Sequence, residues 1–506
     1  MAVLPRSSPG DVWATHQRMS SPLSNPDLAP VPPERRTWSK WNIAALWIGM
    51  AVCIPTYMLA AGMIAAGMTW WQAVLTVLLG NLIVLLPMIA NGHAGTKYGV
   101  PFPVIARASF GTLGAHVPAM ARAIVACGWF GIQTWIGGAA IYSILVTLHW
   151  ISPATDLDML PVLGISFGQL MCFLAFWVVH VAIVMTGIES IKWLEVYAAP
   201  FLIACGVALL AWAIFAVDSI ADLFAAGPSR PEGVSFWSIF FPQLTAMVGF
   251  WATLSLTIPD FTRYCRTQKD QAVGQLIGLP STMTLFSFVG IIVTGATVVL
   301  YGDAIWNPVE LVSRMGSPTI VVIALIAVLI ATLSTNLAAN VVGPANGFSN
   351  LCPRKISFRS GALITAVIGV LIMPWRLMSD LSEYIFVWLI GYSALLGPIA
   401  GIMICDYFII RRTKINAEAL YDPDGEYAGI SLAAMLALVL SILPNVPGFI
   451  NAATGTADTA DALFPAVFDE IYVYAWFVGI SLAMVLYWIF KQLGPSKPAT
   501  IWKATR

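Results

Sequence analysis

Residues 45–67 read ALWIGMAVCIPTYMLAAGMIAAG, a run with no charged residue and a proline, Pro55, near its centre. A run of this length crosses a bilayer as one helix. A proline inside a helix removes a backbone donor and collides with the carbonyl four residues earlier, so a kink or unwound turn is expected over residues 52–57. Irregular backbone at membrane depth persists only where protein or a wet cavity supplies the missing hydrogen bonds.

The rest of the chain fits a membrane setting. Of 506 residues, 59% are hydrophobic and 10% charged, with mean hydropathy +0.82. Soluble domains carry roughly a quarter charged residues, which excludes that class. Apolar runs predict twelve spans: 42–66, 72–91, 116–147, 167–187, 195–216, 237–258, 278–301, 318–342, 360–375, 381–410, 428–444 and 470–490. No alternation of the membrane β-barrel type appears. The seven cysteines (53, 127, 172, 205, 265, 352 and 405) are scattered without CxxC spacing and read as small core hydrophobes. Residues 1–40 are basic and proline-rich without an apolar stretch, and read as a mobile tail rather than a signal peptide. The formal net charge of zero hides a strong asymmetry. With both termini cytoplasmic, 21 Lys and Arg fall on the inner side against three outside (Arg230, Arg314 and Arg376), which predicts that orientation.

Three more spans break the rules of lipid-facing helices. Span 6 contains LTAMVGFWATLSLTIPDF, residues 244–261, with Gly249 ahead of Phe250 and Trp251 and Pro259 near its inner end. Spans 1 and 6 head the two halves of a ten-helix unit, and corresponding interrupted segments point to a transporter's binding site. Freed carbonyls there can hold a cation, and freed N–H groups can meet a polar solute. For Pro55 alone, a kink that only shapes packing competes; the pairing with span 6 favours function. Span 3 carries GWFGIQTWIGG, residues 128–138. An amide at that depth is unfavourable without a partner. Trp129 and Gln133, at i and i+4, share a helix face, while Trp135 points elsewhere. Packing or an interfacial belt suits tryptophans such as Trp70, Trp71 and Trp150. A flat aromatic face beside an amide instead suits a small planar heterocycle with alternating N–H and C=O groups. Span 8 contains ATLSTNLAANVVGPANG, residues 331–347. A lone Ser or Thr in a membrane helix usually bonds back to its own carbonyls. Ser334, Thr335, Asn336 and Asn340 together, without a charge, read as an oxygen-rich lining for a monovalent rather than a divalent ion.

WFGIQTW in span 3, ATLSTNLAAN in span 8, GFWATLSLTIPDFTRY leaving span 6 and LGPIAGIMICDYFIIRR ending span 10 resemble the nucleobase–cation symporter-1 family, over residues 35–415 and more weakly beyond. The resemblance implies an all-α polytopic membrane protein of the LeuT type: two inverted five-helix repeats and two additional helices. It divides the chain into a cytoplasmic tail (1–40), a ten-helix core (41–411), a loop with two peripheral helices (412–490) and a second tail (491–506). The family sandwiches a planar substrate between tryptophans of spans 3 and 6, here Trp129 and Trp251, and reads it with amides falling on Gln133 and Asn340. Its sodium site falls on the carbonyls of Gly49, Val52 and Ala331 and the hydroxyls of Ser334 and Thr335. Two positions depart from the family's sodium–hydantoin symporter: Cys53 replaces a glutamine and Phe250 a glycine, so the pocket has another shape and one amide fewer. IPTYMLA and FWATLSLTIPDFTRY look more like the family's allantoin and uracil permeases. Allantoin ranks first as substrate, uracil or another nucleobase second, and aryl-hydantoins third.

The implied mechanism is import by alternating access across the cell membrane, with Na⁺ as coupling ion and H⁺ the alternative. Arg122 and Asp260 are candidates for a gate, although charges near helix ends commonly snorkel. His180 reads as a hydrogen-bonded packing residue. No enzymatic cofactor and no nucleic-acid partner are expected; the partners are the heterocycle, the cation and the bilayer. An enzyme finds no support, since the chain lacks HExxH, CxxC and Walker patterns. A receptor or channel is the other competing class, and no ring of filter residues appears.

Overall fold

Span 1 consists of two helices, Lys40–Ala51 and Ile54–Ala65, bent by 61°. The break lies at Val52 (φ −79°, ψ 77°) and Cys53 (φ −142°, ψ 159°), ahead of Pro55. Pro55 sits in the first turn of the second helix, where its missing N–H would have no partner anyway. The proline therefore starts a helix instead of kinking one. The Cys53 N–H, which a continuous helix would give to Gly49, donates to Ala51 O at 3.0 Å. The Gly49 carbonyl is thereby left out of the ladder. So is that of Val52, which precedes the cap of the second helix.

The structure is a computed structural model and describes residues 21–494 except 187, 226–232, 381–382 and 458. The expected tail residues 1–20 and 495–506, Arg230 and the side chain of Lys192 lie outside the described residues. Among the described residues nine further helices are long and apolar enough to cross a membrane: Trp70–Tyr98, His116–Thr147, Phe167–Thr186, Phe236–Thr257, Gln268–Tyr301, Pro318–Leu351, Glu383–Ile410, Leu432–Ala453 and Ala475–Leu493, numbered as spans 2, 3, 4, 6, 7, 8, 10, 11 and 12. Places 5 and 9 in chain order fall to Ile188–Ala216 and Phe358–Leu371, whose apolar stretches are shorter. Ten of the twelve expected runs thus fall on helices able to cross a membrane, counting the bent pair of span 1 as one. Span 7 lies against spans 1 and 2, span 8 against span 3, and span 10 against span 12. Span 10 opens with a π-helical stretch, Glu383–Leu389.

Three expectations need correction. Among the described residues only span 1 bends by more than 40° at a short break. Span 6 continues through one non-helical residue, Trp251 (φ −101°, ψ 6°), because Pro259 lies beyond it and heads the separate short helix Pro259–Thr262. Span 7 begins at Gln268, well before the apolar run at 278, capped by the Thr267 hydroxyl, which accepts the Asp270 N–H at 3.0 Å. Hydropathy finds the part of a helix that suits the bilayer, not the polar turns that extend beyond it.

The third correction concerns the expected mobile tail. Residues 21–38 form a strap across the helix ends. Leu28 is fully buried. Arg107 donates to Leu23 O (2.9 Å), Arg263 to Asp27 O (2.9 Å) and Tyr421 to Leu28 O (2.7 Å), and Asn25 donates to Ser349 Oγ (2.7 Å). One buried leucine and a set of donors aimed at its carbonyls hold the strap without an apolar run. It gathers on one face the connections that the charge count assigns to one side.

Candidate functional site

A small cavity lies where the break in span 1 meets spans 3, 6 and 8. It is lined by Met50, Cys53 and Pro55, by Trp129 and Gln133, by Phe250, Trp251, Thr253 and Leu254, and by Thr335, Ala339 and Asn340. The helix face shared by Trp129 and Gln133 brings both to it. Phe250 stands edge-on to both tryptophans, with centroids 5.3 Å from Trp129 and 5.0 Å from Trp251. Trp251 also meets Trp47 edge-on at 5.1 Å. The rings leave about 20 Å³ between them, room for about one water. A ring-sized solute therefore requires these side chains to move.

The polar atoms of the cavity are notable for what they lack. Gln133 is 3% exposed, and its Oε1 has no hydrogen-bond partner; the same holds for Trp251 Nε1 and Thr335 Oγ1. Buried polar atoms are nearly always paired, so three orphans around one cavity mark a place for a ligand. Cys53 is held differently, its thiol 3.2 Å from Thr56 Oγ1.

Asn336 lies elsewhere. Its amide is fully buried, and its Nδ2 stands 3.1 Å from Phe130 O, 3.2 Å from Thr134 Oγ1 and 3.1 Å from His180 Nε2. Its Oδ1 accepts from Asn340 Nδ2 at 3.0 Å. The i, i+4 spacing makes the two asparagines touch, but only Asn340 lines the cavity.

Of the residues considered for a cation, Val52 and Ala331 border one apolar cleft together with Cys53. Thr335 lines the solute cavity, and Ser334 is buried. The freed carbonyls of Gly49 and Val52 and the orphaned Thr335 hydroxyl are hard, neutral oxygens, the donor type that suits a monovalent rather than a divalent cation.

Arg122 and Asp260 form no ion pair with each other among the described residues. Each has hydrogen-bond partners of its own. Arg122 is 1% exposed and does not snorkel; its Nη2 donates to Thr257 Oγ1 (3.1 Å) and Ala339 O (3.4 Å), tying span 3 to spans 6 and 8. A Cβ on Gly343 would lie 2.6 Å from Arg122 Cζ, so any larger residue there requires the buried guanidinium to shift. Asp260 Oδ1 accepts the Phe102 N–H (2.8 Å) at the start of the connecting helix Phe102–Phe110, where the helix dipole favours a carboxylate. Burial pushes the Asp260 carboxyl up, against the pull of Arg263, the Phe102 N–H and Arg122.

Met50, Thr253, Leu254 and Ala339 border the cavity without having been singled out by sequence, although Met50 adjoins Gly49 and Ala339 adjoins Asn340. Span 10 adds a stripe at i, i+4 and i+8 that packs around Trp129: Tyr384 (6.2 Å), Trp388 (5.9 Å) and Tyr392 (6.3 Å). The indole N–H of Trp129 donates to Tyr392 Oη at 3.3 Å. Gly128, one residue earlier, has no room for a Cβ beneath Trp388. Trp135 packs away from the cavity against Phe173 and Trp375.

Comparison with known proteins places this geometry. Residues 30–479 match the family model described as permease for cytosine/purines, uracil, thiamine and allantoin. The chain is 44% identical to the purine–uracil permease NCS1 of Arabidopsis thaliana, over 92% of its own length and 77% of that protein's. It is 38% identical to the allantoin permease of Bacillus subtilis, over 96% of each. Among solved structures it is similar to Mhp1, a nucleobase–cation symporter-1 transporter in a closed conformation with bromovinylhydantoin bound (TM-score 0.74, 26% identity, 94% of this chain and 98% of that one). The fold is that of the LeuT type, an all-α polytopic membrane transporter. By family model, relatives and fold together, the chain belongs to the nucleobase–cation symporter-1 family of permeases.

Proposed function

We propose that the protein is a symporter that imports a small planar cyclic ureide, allantoin first, together with a cation, Na⁺ first, by alternating access. The observation that carries this reading is the buried, partnerless Oε1 of Gln133 in a cavity walled by indoles. Trp129 and Trp251 supply flat faces, Gln133 and Asn340 hydrogen bonds, and Cys53 and Phe250 the shape of the edge. Gly49, Val52, Ala331, Ser334 and Thr335 hold the cation between spans 1 and 8, so that cation and solute favour the same closed form. Arg122 and Asp260 act separately on the inner side, one bridging spans 3, 6 and 8, the other anchoring span 6 to the first inner connection. Both termini face the cytoplasm, as the excess of Lys and Arg on that side supports.

A second reading, transport of uracil or a purine, is favoured by the 44% identity to a plant permease named for those solutes. Competition against labelled allantoin by hydantoin, uracil, cytosine and adenine, with and without sodium, separates the two. Allantoin competing best in sodium supports the first reading. Uracil or adenine competing best supports the second, and uptake that ignores sodium but follows a pH gradient replaces Na⁺ by H⁺.

A further inference from the structure

We propose that the strap of residues 21–38 is an inner latch: it ties two packed bodies of the molecule together, and its first half must leave spans 8 and 9 before the inner side opens. This rests on the proposed alternating access, since inward release of the solute is the step that the latch controls.

The two bodies follow from packing. Spans 1, 2 and 7 and the inner end of span 6 pack chiefly on one another, and so do spans 3, 4, 8 and 9. The second half of the strap belongs to the first body. It runs directly into span 1, and its backbone is paired there. The Val31 N–H donates to Gly99 O at the end of span 2 (2.8 Å), the Trp38 N–H to Tyr264 O (2.9 Å) and the Arg266 N–H to Trp38 O (3.0 Å). Arg36 adds a bond to Thr96 O of span 2 (3.1 Å).

The first half crosses to the second body and holds it by side chains. Asn25 Nδ2 donates to Ser349 Oγ near the end of span 8 (2.7 Å) and to Pro353 O beyond it (3.2 Å). Asn25 Oδ1 accepts the Asp27 and Leu28 N–H groups (3.0 and 2.9 Å), which leaves the amide nitrogen to face span 8. Asp27 is the crossing point. Its backbone carbonyl accepts from Arg263 of the first body (2.9 Å), while its carboxylate accepts the Phe358 N–H at the start of span 9 (3.3 Å). Arg107 and Tyr421 hold the carbonyls of Leu23 and Leu28 from the connections after spans 2 and 10.

The space beneath the crossing gives it a purpose. A cavity of about 450 Å³ lies between Pro26 and Asp27 of the strap, Arg263 of the first body, and Val342, Asn346 and Phe358 of the second. Asn346 stands six residues beyond Asn340 of the solute cavity, about 9 Å along a helix. The buried Arg122 guanidinium lies against Gly343 between them. An inward path therefore leads past Arg122 into a second cavity that has the strap as a wall. Such a path widens only if the two bodies part, and a chain bonded to both opposes parting. The half held by a few side-chain bonds yields before the half that is backbone-paired and continuous with span 1.

The test is pulsed electron paramagnetic resonance on the full chain in lipid nanodiscs. Nitroxide labels go on Lys269→Cys, at the start of span 7, and Lys355→Cys, between spans 8 and 9. Cys205 and Cys352 are replaced by serine, the other five native cysteines being buried. Adding Asn25→Ala and Asp27→Ala should move the population about five- to a hundredfold toward a longer distance, the effect of losing two or three hydrogen bonds. An unchanged distance distribution overturns the latch. As a second measurement, Asn25→Cys with Ser349→Cys is bridged by a short bifunctional methanethiosulfonate. Bridged protein should lose uptake of labelled allantoin, still bind allantoin by tryptophan fluorescence, and regain uptake on reduction. Uptake that survives bridging also overturns the latch. The distance measurement needs no solute, so a chain that shows the shift yet takes up no allantoin, uracil or hydantoin overturns the proposed function and supports the latch.

Discussion

Gln133 and Trp251 carry the claims that belong to single residues. Gln133→Leu removes a buried carbonyl with no protein partner, so it should leave folding intact while costing the solute about 1–3 kcal/mol of affinity. Uptake at a fixed low concentration should fall about five- to a hundredfold, with normal protein levels on blots; near-normal affinity would remove Gln133 from the site. Trp251→Ala should weaken planar solutes by about 1–3 kcal/mol, the scale of base–aromatic stacking, read as a raised half-saturating concentration. These residues are legible in the sequence because an amide among tryptophans is anomalous in hydrocarbon. Asn336 is less so: spacing says that it touches Asn340, but not which of the two faces the cavity.

Spans 1 and 8 carry the coupling, and the break in span 1 is an element-scale feature. Because backbone leaves the helix at Val52 and Cys53, ahead of the proline, Pro55→Ala should retain most uptake. Loss of sodium dependence in that variant would show that the proline itself holds the break open. Ser334→Ala with Thr335→Ala should raise the sodium needed for half-maximal uptake about fivefold or more, as two oxygens are withdrawn from a neutral donor set. At the inner end, Gly343→Ala sets a methyl against the buried Arg122 guanidinium. Overpacking of this kind costs about 1–3 kcal/mol, and a lowered unfolding temperature in detergent, with slower uptake, is the expected result. Hydropathy and proline single out span 1, but not where its irregular turn falls. That position depends on which residue caps the following helix, here Cys53.

At the scale of the molecule, apolar runs were enough to anticipate a polytopic α-helical membrane protein, and the family resemblance carried by four motifs implied a LeuT-type carrier. The strap of residues 21–38 was not legible, since its attachment depends on Arg107, Arg263 and Tyr421, brought together from distant connections. The nearly closed cavity was not legible either, because Phe250 fills it only once span 6 is set against Trp129. The most direct measurement of the central claim is uptake of labelled allantoin into proteoliposomes containing the purified full chain, with and without an inward sodium gradient. Saturable, sodium-stimulated uptake that shows counterflow and is strongly weakened in Gln133→Leu is the predicted result. Uptake that does not saturate, or none for allantoin, uracil or hydantoin under any cation gradient, would contradict it.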